Sequence, residues 1–406
     1  MTLTPLLANR SPSARQRVLA GTLSAHVLHD GYTDLLYVML PVWQAELALS
    51  LAQVGFLKTS YSAVMASLQV PAGFLAERLG ERALLALGTA VADLGYLLAG
   101  WSGGFFGLVV CLAIGGAGSS VQHPLSSSIT ARTFEGSRLR TALSTYNFSG
   151  DVGKMLFPAA TAWLISTWSW RPATTVIGAV GFIVAILLLL LLPAGVPHRD
   201  GVGAGGTNSH SGNRLPQNIG LRGFLALASI GIIDSATRMG FLILLPFLLT
   251  AKGASLPMVG ASLTLVFAGG AAGKFVCGII AARLGVIRTV VLTECATALG
   301  IIALLPLSID AAMFLLPAVG VALNGTSSVL YGTVAELVPA ERRARAFGIF
   351  YTCTIGAGAI SPSIYGLLSD IAGVPVTLVV VGLVVLAVLP LTLALRPALR
   401  LLALQA

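Results

Sequence analysis

His26, His29, Asp30 and Asp34 fall within nine residues of one another, inside an apolar stretch from Val18 to Pro41 that is long enough to cross a membrane. At helical spacing His26, Asp30 and Asp34 share one face, with His29 beside them. Imidazole and carboxylate together can hold a proton or ligate a metal ion. A carboxylate at that depth must face protein or water, because hydrocarbon offers it no solvation. Two further in-span pairs, Asp151 with Lys154 and Asp234 with Arg238, stand at i, i+3 and i, i+4, where each can neutralise itself on one helix face. Asp30 and Asp34 have no basic residue at such spacing, and ionising the second works against the charge of the first. A group that keeps a proton near neutral pH is what proton coupling requires.

The elements that must position these groups are membrane helices. The chain is 406 residues long, 56% hydrophobic and only 10% charged, which places it in the polytopic membrane class. Runs of about 20 apolar residues number twelve: 18–42, 52–76, 82–101, 104–130, 140–166, 171–192, 221–249, 255–281, 287–307, 311–335, 344–369 and 374–395. The net charge of +9 follows topology: 18 of the 24 basic residues lie at the two ends and in alternate loops, while the opposite loops hold only Arg171 and Lys252. By the positive-inside rule both termini are cytoplasmic, as expected of a multi-pass protein of a bacterial-type inner membrane, and nucleic acid is not a partner. Cys111, Cys277, Cys295 and Cys353 lack paired spacing, so they read as packing residues rather than a disulfide framework or zinc site. The polar, basic first 17 residues lack the apolar core of a signal peptide.

Between Pro193 and Gly220 the composition turns to glycine, serine and proline, a flexible linker that includes His198 and His210. The halves on either side repeat each other. Gly73-Phe-Leu-Ala-Glu77-Arg78-Leu79-Gly80-Glu81-Arg82 answers to Gly278-Ile-Ile-Ala-Ala282-Arg283-Leu284-Gly285-Val-Ile-Arg288, and Asp30-Gly-Tyr-Thr33-Asp34 to Asp234-Ser-Ala-Thr237-Arg238. The organisation expected is a cytoplasmic N-terminus at 1–17, a six-helix bundle at 18–192, the linker at 193–219, a second six-helix bundle at 220–396 and a cytoplasmic C-terminus at 397–406.

Twelve spans in two repeated halves, with the acidic and basic signature at 73–82, resemble the major facilitator superfamily. Ser24-Ala-His26-Val-Leu-His29-Asp30, the run Gly118 to Ser127 with His123-Pro124, and Phe148-Ser-Gly150-Asp-Val-Gly153 are similar to its fosmidomycin-resistance-like exporter branch, with departures at Leu125, Asp151 and Lys154. The resemblance implies an all-α fold of two pseudo-symmetric bundles, no enzyme activity, and a central cavity lined by helices 1, 4, 7 and 10 and flanked by helix 5. It implies a cytoplasmic gate at Gly73, Glu77, Arg78, Gly80, Arg82 and Arg283, with Ala282 lacking the acid in the second copy.

The expected function is proton-coupled alternating access that moves a small organic anion or drug-like molecule, toward export. Asp30 and Asp34 are the proton-coupling candidates. Arg238 and Lys154 are the counter-charges for the substrate, with Asp234, Asp151, His123, Tyr32 and Tyr331 as further substrate-binding candidates. His123 either binds substrate or caps a helix break before Pro124. Asp93 and Glu294 read as structural partners, and Lys58 as reaching the interface along its stem. The proton gradient is the coupling ion, no cofactor is expected, and the protein works as a monomer in the bilayer. Two alternatives remain: an uptake symporter, and a metal or metal-chelate route through His26, His29, Asp30 and Asp34.

Overall fold

The computed structural model describes residues 12–193, 217–338 and 342–405, all helical apart from turns and short connections. The linker expected at 193–219 lies largely outside the described residues, as does the start of the N-terminus. The helices are α1 (Pro12–Leu47), α2 (Leu51–Leu79), α3 (Glu81–Ala99), α4 (Phe105–Ser119), α5 (Gln122–Thr133), α6 (Gly136–Trp168), α7 (Trp170–Leu191), α8 (Gln217–Ala251), α9 (Leu256–Leu284), α10 (Val286–Ala303), α11 (Ile309–Leu337), α12 (Arg343–Ala372), α13 (Val374–Val385) and α14 (Val388–Gln405). Counting α4 with α5 and α13 with α14, they form twelve membrane-length segments. Nine of these are long and apolar enough to span by length and composition. The other three, α1, α2 and α6, carry in-span charges such as Asp30, Lys58 and Lys154.

Both interrupted spans break at proline. Pro124 has no N–H for the carbonyl of Ser120, four residues earlier, and α4 gives way to α5 at Ser120–Val121. Pro390 does the same to Leu386, where α13 gives way to α14. The sequence reading treats residues 104–130 as one span; the break turns the start of α5, with Gln122 and His123, into a separately aimed segment.

The chain forms two compact units: Met1–Ala48 with Ser60–His198, and Leu49–Thr59 with Arg199–Ala406. In the first unit α1 packs along α6 and α7, and α3 lies between α4 and α7. Lipid supplies no hydrophobic drive between helices, so close backbone approach has to hold them. Gly153 on α6 is pressed against the backbone of Val27, where a Cβ would overlap its carbonyl oxygen, and Gly118 on α4 meets the backbone of Ala92 in the same way. Glu46, at the end of α1, accepts hydrogen bonds from the Trp170 indole and the Arg171 guanidinium at the start of α7. In the second unit α9 and α11 approach through glycines on both sides, Gly269 against Pro317 and Gly320 against Val266. The carboxylate of Asp370 caps the start of α2, accepting from the amides of Leu51 and Ala52 at 2.7 and 2.8 Å. Lys58, also in this unit, is fully buried at 1% exposure, so it does not reach for an interface.

Gly153→Ala should lower the thermal unfolding midpoint by the equivalent of about 1–3 kcal/mol of overpacking. Gly73→Ala, with open space at the position of a Cβ, should leave it nearly unchanged; equal shifts would remove the close-approach argument. The hydrogen bonds from Arg171 and Trp170 hold Glu46 below its ordinary carboxylate pKa. Its stabilisation is therefore complete above the ordinary value and lost as pH falls through the lowered folded one. Both side chains are over two-fifths exposed, so the pair contributes at most about 1 kcal/mol. Glu46→Gln should flatten that part of the stability–pH curve.

Candidate functional site

Asp30 sits mid-way along α1, buried, and three cationic or potentially cationic side chains from three helices converge on its carboxylate. His26, one turn earlier on α1, places Nε2 3.4 Å from Oδ2. Lys154 on α6 places Nζ 3.2 Å from the same oxygen. His123, in the first turn of α5, stands with Nε2 3.9 Å from Oδ1. Close packing of α6 on α1 makes the Lys154 contact possible: a Cβ at Gly150 would collide with the Asp30 carboxylate and lie 2.7 Å from the His26 ring. The side chains of His26 and Asp30 are 5% and 11% exposed, whereas those of Lys154 and His123 are 31% and 43%. The cluster thus has a closed end at His26 and an accessible end at Lys154 and His123.

Tyr146 on α6 holds the closed end in place. Its backbone carbonyl lies 2.7 Å from His26 Nδ1, and a carbonyl can only accept, so Nδ1 carries a hydrogen. The two rings stack at 4.0 Å. In neutral His26 the Nε2 atom is then a bare lone pair facing a carboxylate oxygen, and two acceptors at that distance require a cation between or beside them: a proton, the Lys154 ammonium or a metal ion. The phenol of Tyr146 donates to Gln122 Oε1 at 3.2 Å, tying down the residue next to His123. His29 completes the surroundings, its ring 4.6 Å from that of His123.

The arrangement changes several expectations. Asp30 is not a carboxylate without a counter-charge: Lys154, which the sequence pairs with Asp151 on its own helix, lies 3.2 Å from it. Asp151 is buried on α6. Asp34, one turn beyond Asp30, lies in the surroundings of Tyr61 and Tyr96, so the two acids of α1 have different neighbours. Tyr32, taken as a substrate donor, is 1% exposed and its hydroxyl donates to the carbonyl of Ile177 on α7. It fastens α1 to α7 and is not available to a ligand. The sequence offers His26 only as a metal-route candidate, with its i, i+4 spacing to Asp30 as the signal; the carbonyl that orients it comes from 120 residues away.

The second unit holds a smaller counterpart. Asp234 and Arg238 share a face of α8 as expected, and Glu294 of α10, read as a structural residue, joins them: its carboxyl lies against Asp234 and in the field of Arg238. Two buried acids therefore meet one guanidinium, whose Nε has no hydrogen-bond partner among the described residues. Tyr331 lies within the field of both Asp234 and Arg238 and stacks on Tyr351 at 4.8 Å. Asp93 on α3 is fully buried against Gly181 of α7, with Tyr32 of α1 beside it.

At the expected gate, Gly80 adopts φ +81°, which glycine accepts at no steric cost. Glu77 and Arg78 are exposed. The acid that pairs here is Glu81 instead, 3.4 Å from Arg132 and accepting from Ser128 at 2.7 Å on α5. Arg82 donates to the carbonyl of Leu189 on α7. The turn after Gly80 aims Glu81 at α5 and leaves the signature acid outside. Arg283 closes α9 beside Gly285, also at φ +81°.

Asp30→Asn and Lys154→Met should each lower stability, and the double variant should lose less than their sum, with a coupling of about 1 kcal/mol or more in a thermal double-mutant cycle. Additive losses would mean that the 3.2 Å contact carries no energy.

A family model, described as Major Facilitator Superfamily, matches residues 22–226 and 227–402. The fosmidomycin resistance protein of Escherichia coli K12 is 28% identical over 166 residues, 40% of this chain and 41% of that protein. The hexuronate transporter of the same organism is 29% identical over 153 residues, 37% of this chain and 35% of the relative. Each of these matches spans about two-fifths or less of the relative's length. In fold, a bacterial homolog of the human lysosomal transporter Spinster, in an inward-facing and occupied conformation, superposes with a TM-score of 0.80 at 17% identity over 95% of this chain and 98% of its own. A POT family transporter in complex with a thioalcohol-conjugated peptide gives 0.74 at 13% identity over 93% and 96%.

Proposed function

The chain belongs to the major facilitator superfamily, multi-pass membrane transporters of small molecules and not enzymes, and from that premise we propose that it couples proton movement to a small organic anion. The observation that carries this reading is the shared carboxylate oxygen of Asp30, approached by Lys154 at 3.2 Å and His26 at 3.4 Å. A proton on the Asp30–His26 pair removes the charge that holds Lys154. The freed ammonium, at the accessible end of the cluster, then takes the negative group of the substrate. Losing the proton restores the internal pair and expels the anion. In the first unit His123 and Asp151 accompany Lys154 as substrate-binding candidates; in the second, Arg238 is a candidate cation for an anionic group, with Asp234 and Tyr331 beside it. We place the protein in a bacterial-type inner membrane with both termini in the cytoplasm, working as a monomer by alternating access.

Export against protons agrees with the segment Gly150–Pro158 on α6, a degraded form of the antiporter signature of drug exporters that lacks its Gly-Pro step, and with the similarity to a fosmidomycin resistance protein. The ion-pair geometry favours a second reading, uptake by symport, because a proton on Asp30 helps the anion to bind instead of competing with it. The sign of linkage decides: an antiported substrate releases a proton when it binds, and a symported one takes a proton up.

Anionic metabolites and antibiotics that raise the unfolding temperature of the purified protein identify the substrate, and Lys154→Gln should abolish that stabilisation. In proteoliposomes an uncoupler should stop concentrative movement, and Asp30→Asn should retain exchange down a gradient while losing accumulation. Accumulation that persists without a proton gradient would refute proton coupling. The pH change on adding substrate to weakly buffered protein assigns the direction.

A further inference from the structure

His26, His123 and Asp30 each present a donor atom, and these three atoms lie within 4.8 Å of one another. This set differs from the one the sequence suggests, since His123 arrives from α5. We propose that the three side chains form a binding site for a divalent first-row transition-metal ion, which displaces Lys154 from Asp30.

Three features carry the proposal. The donors are close to a tetrahedral spacing: ligands about 2.0–2.2 Å from such an ion lie about 3.3–3.6 Å apart, His26 stands 3.4 Å from one Asp30 oxygen and His123 3.9 Å from the other, and all three donors lie within 4.8 Å of one another. Drawing the three together asks most of His123, which is the more exposed histidine and sits just beyond a helix break. The tautomer is already set, because the Nδ1 hydrogen of His26 is donated to the Tyr146 carbonyl at 2.7 Å, leaving Nε2 free to ligate. An outer hydrogen bond of this kind orients metal-binding histidines and raises their basicity. The donor chemistry, two imidazoles and one carboxylate, selects Zn2+, Co2+, Ni2+ or Cu2+ over Mg2+ or Ca2+. With three protein ligands the fourth position stays open to water or to an anion.

Lys154 is the built-in competitor. Its ammonium shares the oxygen that the ion would take, and its flexible stem lets it withdraw toward the accessible end. A metal ion and the Lys154 charge therefore exclude each other at Asp30. The site uses side chains of the transport reading but does not rest on it, since binding is measured without substrate or gradient.

The test uses the full chain, purified in detergent on a tag without histidine, with His198 and His210 replaced by alanine so that the remaining imidazoles are those of α1 and α5. Zn2+ titrated calorimetrically should bind one equivalent, and Co2+ should give the visible absorption bands of a tetrahedral site. His123→Ala, at the exposed edge, should weaken Zn2+ at least tenfold, about 1.4 kcal/mol, and abolish the Co2+ bands. Lys154→Met should tighten Zn2+ at least threefold. Absence of binding up to millimolar Zn2+, or equal affinity and spectra for wild type and His123→Ala, would overturn the site. An unchanged affinity in Lys154→Met would overturn the displacement. Should His123→Ala fail to fold, His123→Gln read against the same Co2+ bands serves instead.

Discussion

An ionised carboxylate in the middle of a membrane helix loses several kcal/mol of hydration unless protein charges or polar groups replace it. Asp30 places that demand on the first unit, and much of the local architecture answers it. Glycines at 150 and 153 let α6 come close enough for Lys154 to span the gap. A proline-induced break after α4 re-aims His123 toward the carboxylate. One residue of α6, Tyr146, stacks on His26, orients it through a carbonyl and, through its hydroxyl, fixes the neighbour of His123. Loosening any of these would leave a buried charge partly unpaired, which costs more than the pair itself contributes.

The same oxygen cannot serve three cations at once. On the proposed coupling and metal site, proton, ammonium and metal ion would be alternatives at Asp30, and each would change what Lys154 is free to do. Under the proposed function that exclusion would be a linkage in the thermodynamic sense: what occupies Asp30 would alter the affinity of Lys154 for an anion, and the reverse would hold by the same factor. The exposure gradient across the cluster fits this, with the orienting histidine sealed and the two mobile groups accessible.

The second unit solves its problem differently. Asp234 finds Arg238 one turn along its own helix, yet a second acid, Glu294, is added from α10. The centre built on Arg238 sets one guanidinium among two acids, whereas the one built on Asp30 sets one acid among a lysine and two histidines. Repeat symmetry placed acids at both positions; the substitution of Arg238 where the first half has Asp34 divided their chemistry.

Membrane-length apolar runs, the repeat of halves and the in-span charges were all readable from the chain, because hydrocarbon permits only segments that satisfy their own backbone hydrogen bonds and penalises each charge that is kept. Asp30, Lys154 and His123 stood out for that reason. Their partners did not. Spacing along one helix suggested Lys154 with Asp151 and kept Tyr32 among the ligand-facing groups. Which side chains meet depends on where glycines allow two backbones to touch, where a proline turns a helix, and which carbonyl a histidine finds 120 residues away. The sequence alone determined that charges are buried in these membrane helices; only the tertiary structure decided which of them neutralise one another, since helix–helix approach, and not distance along the chain, sets the Coulomb energy.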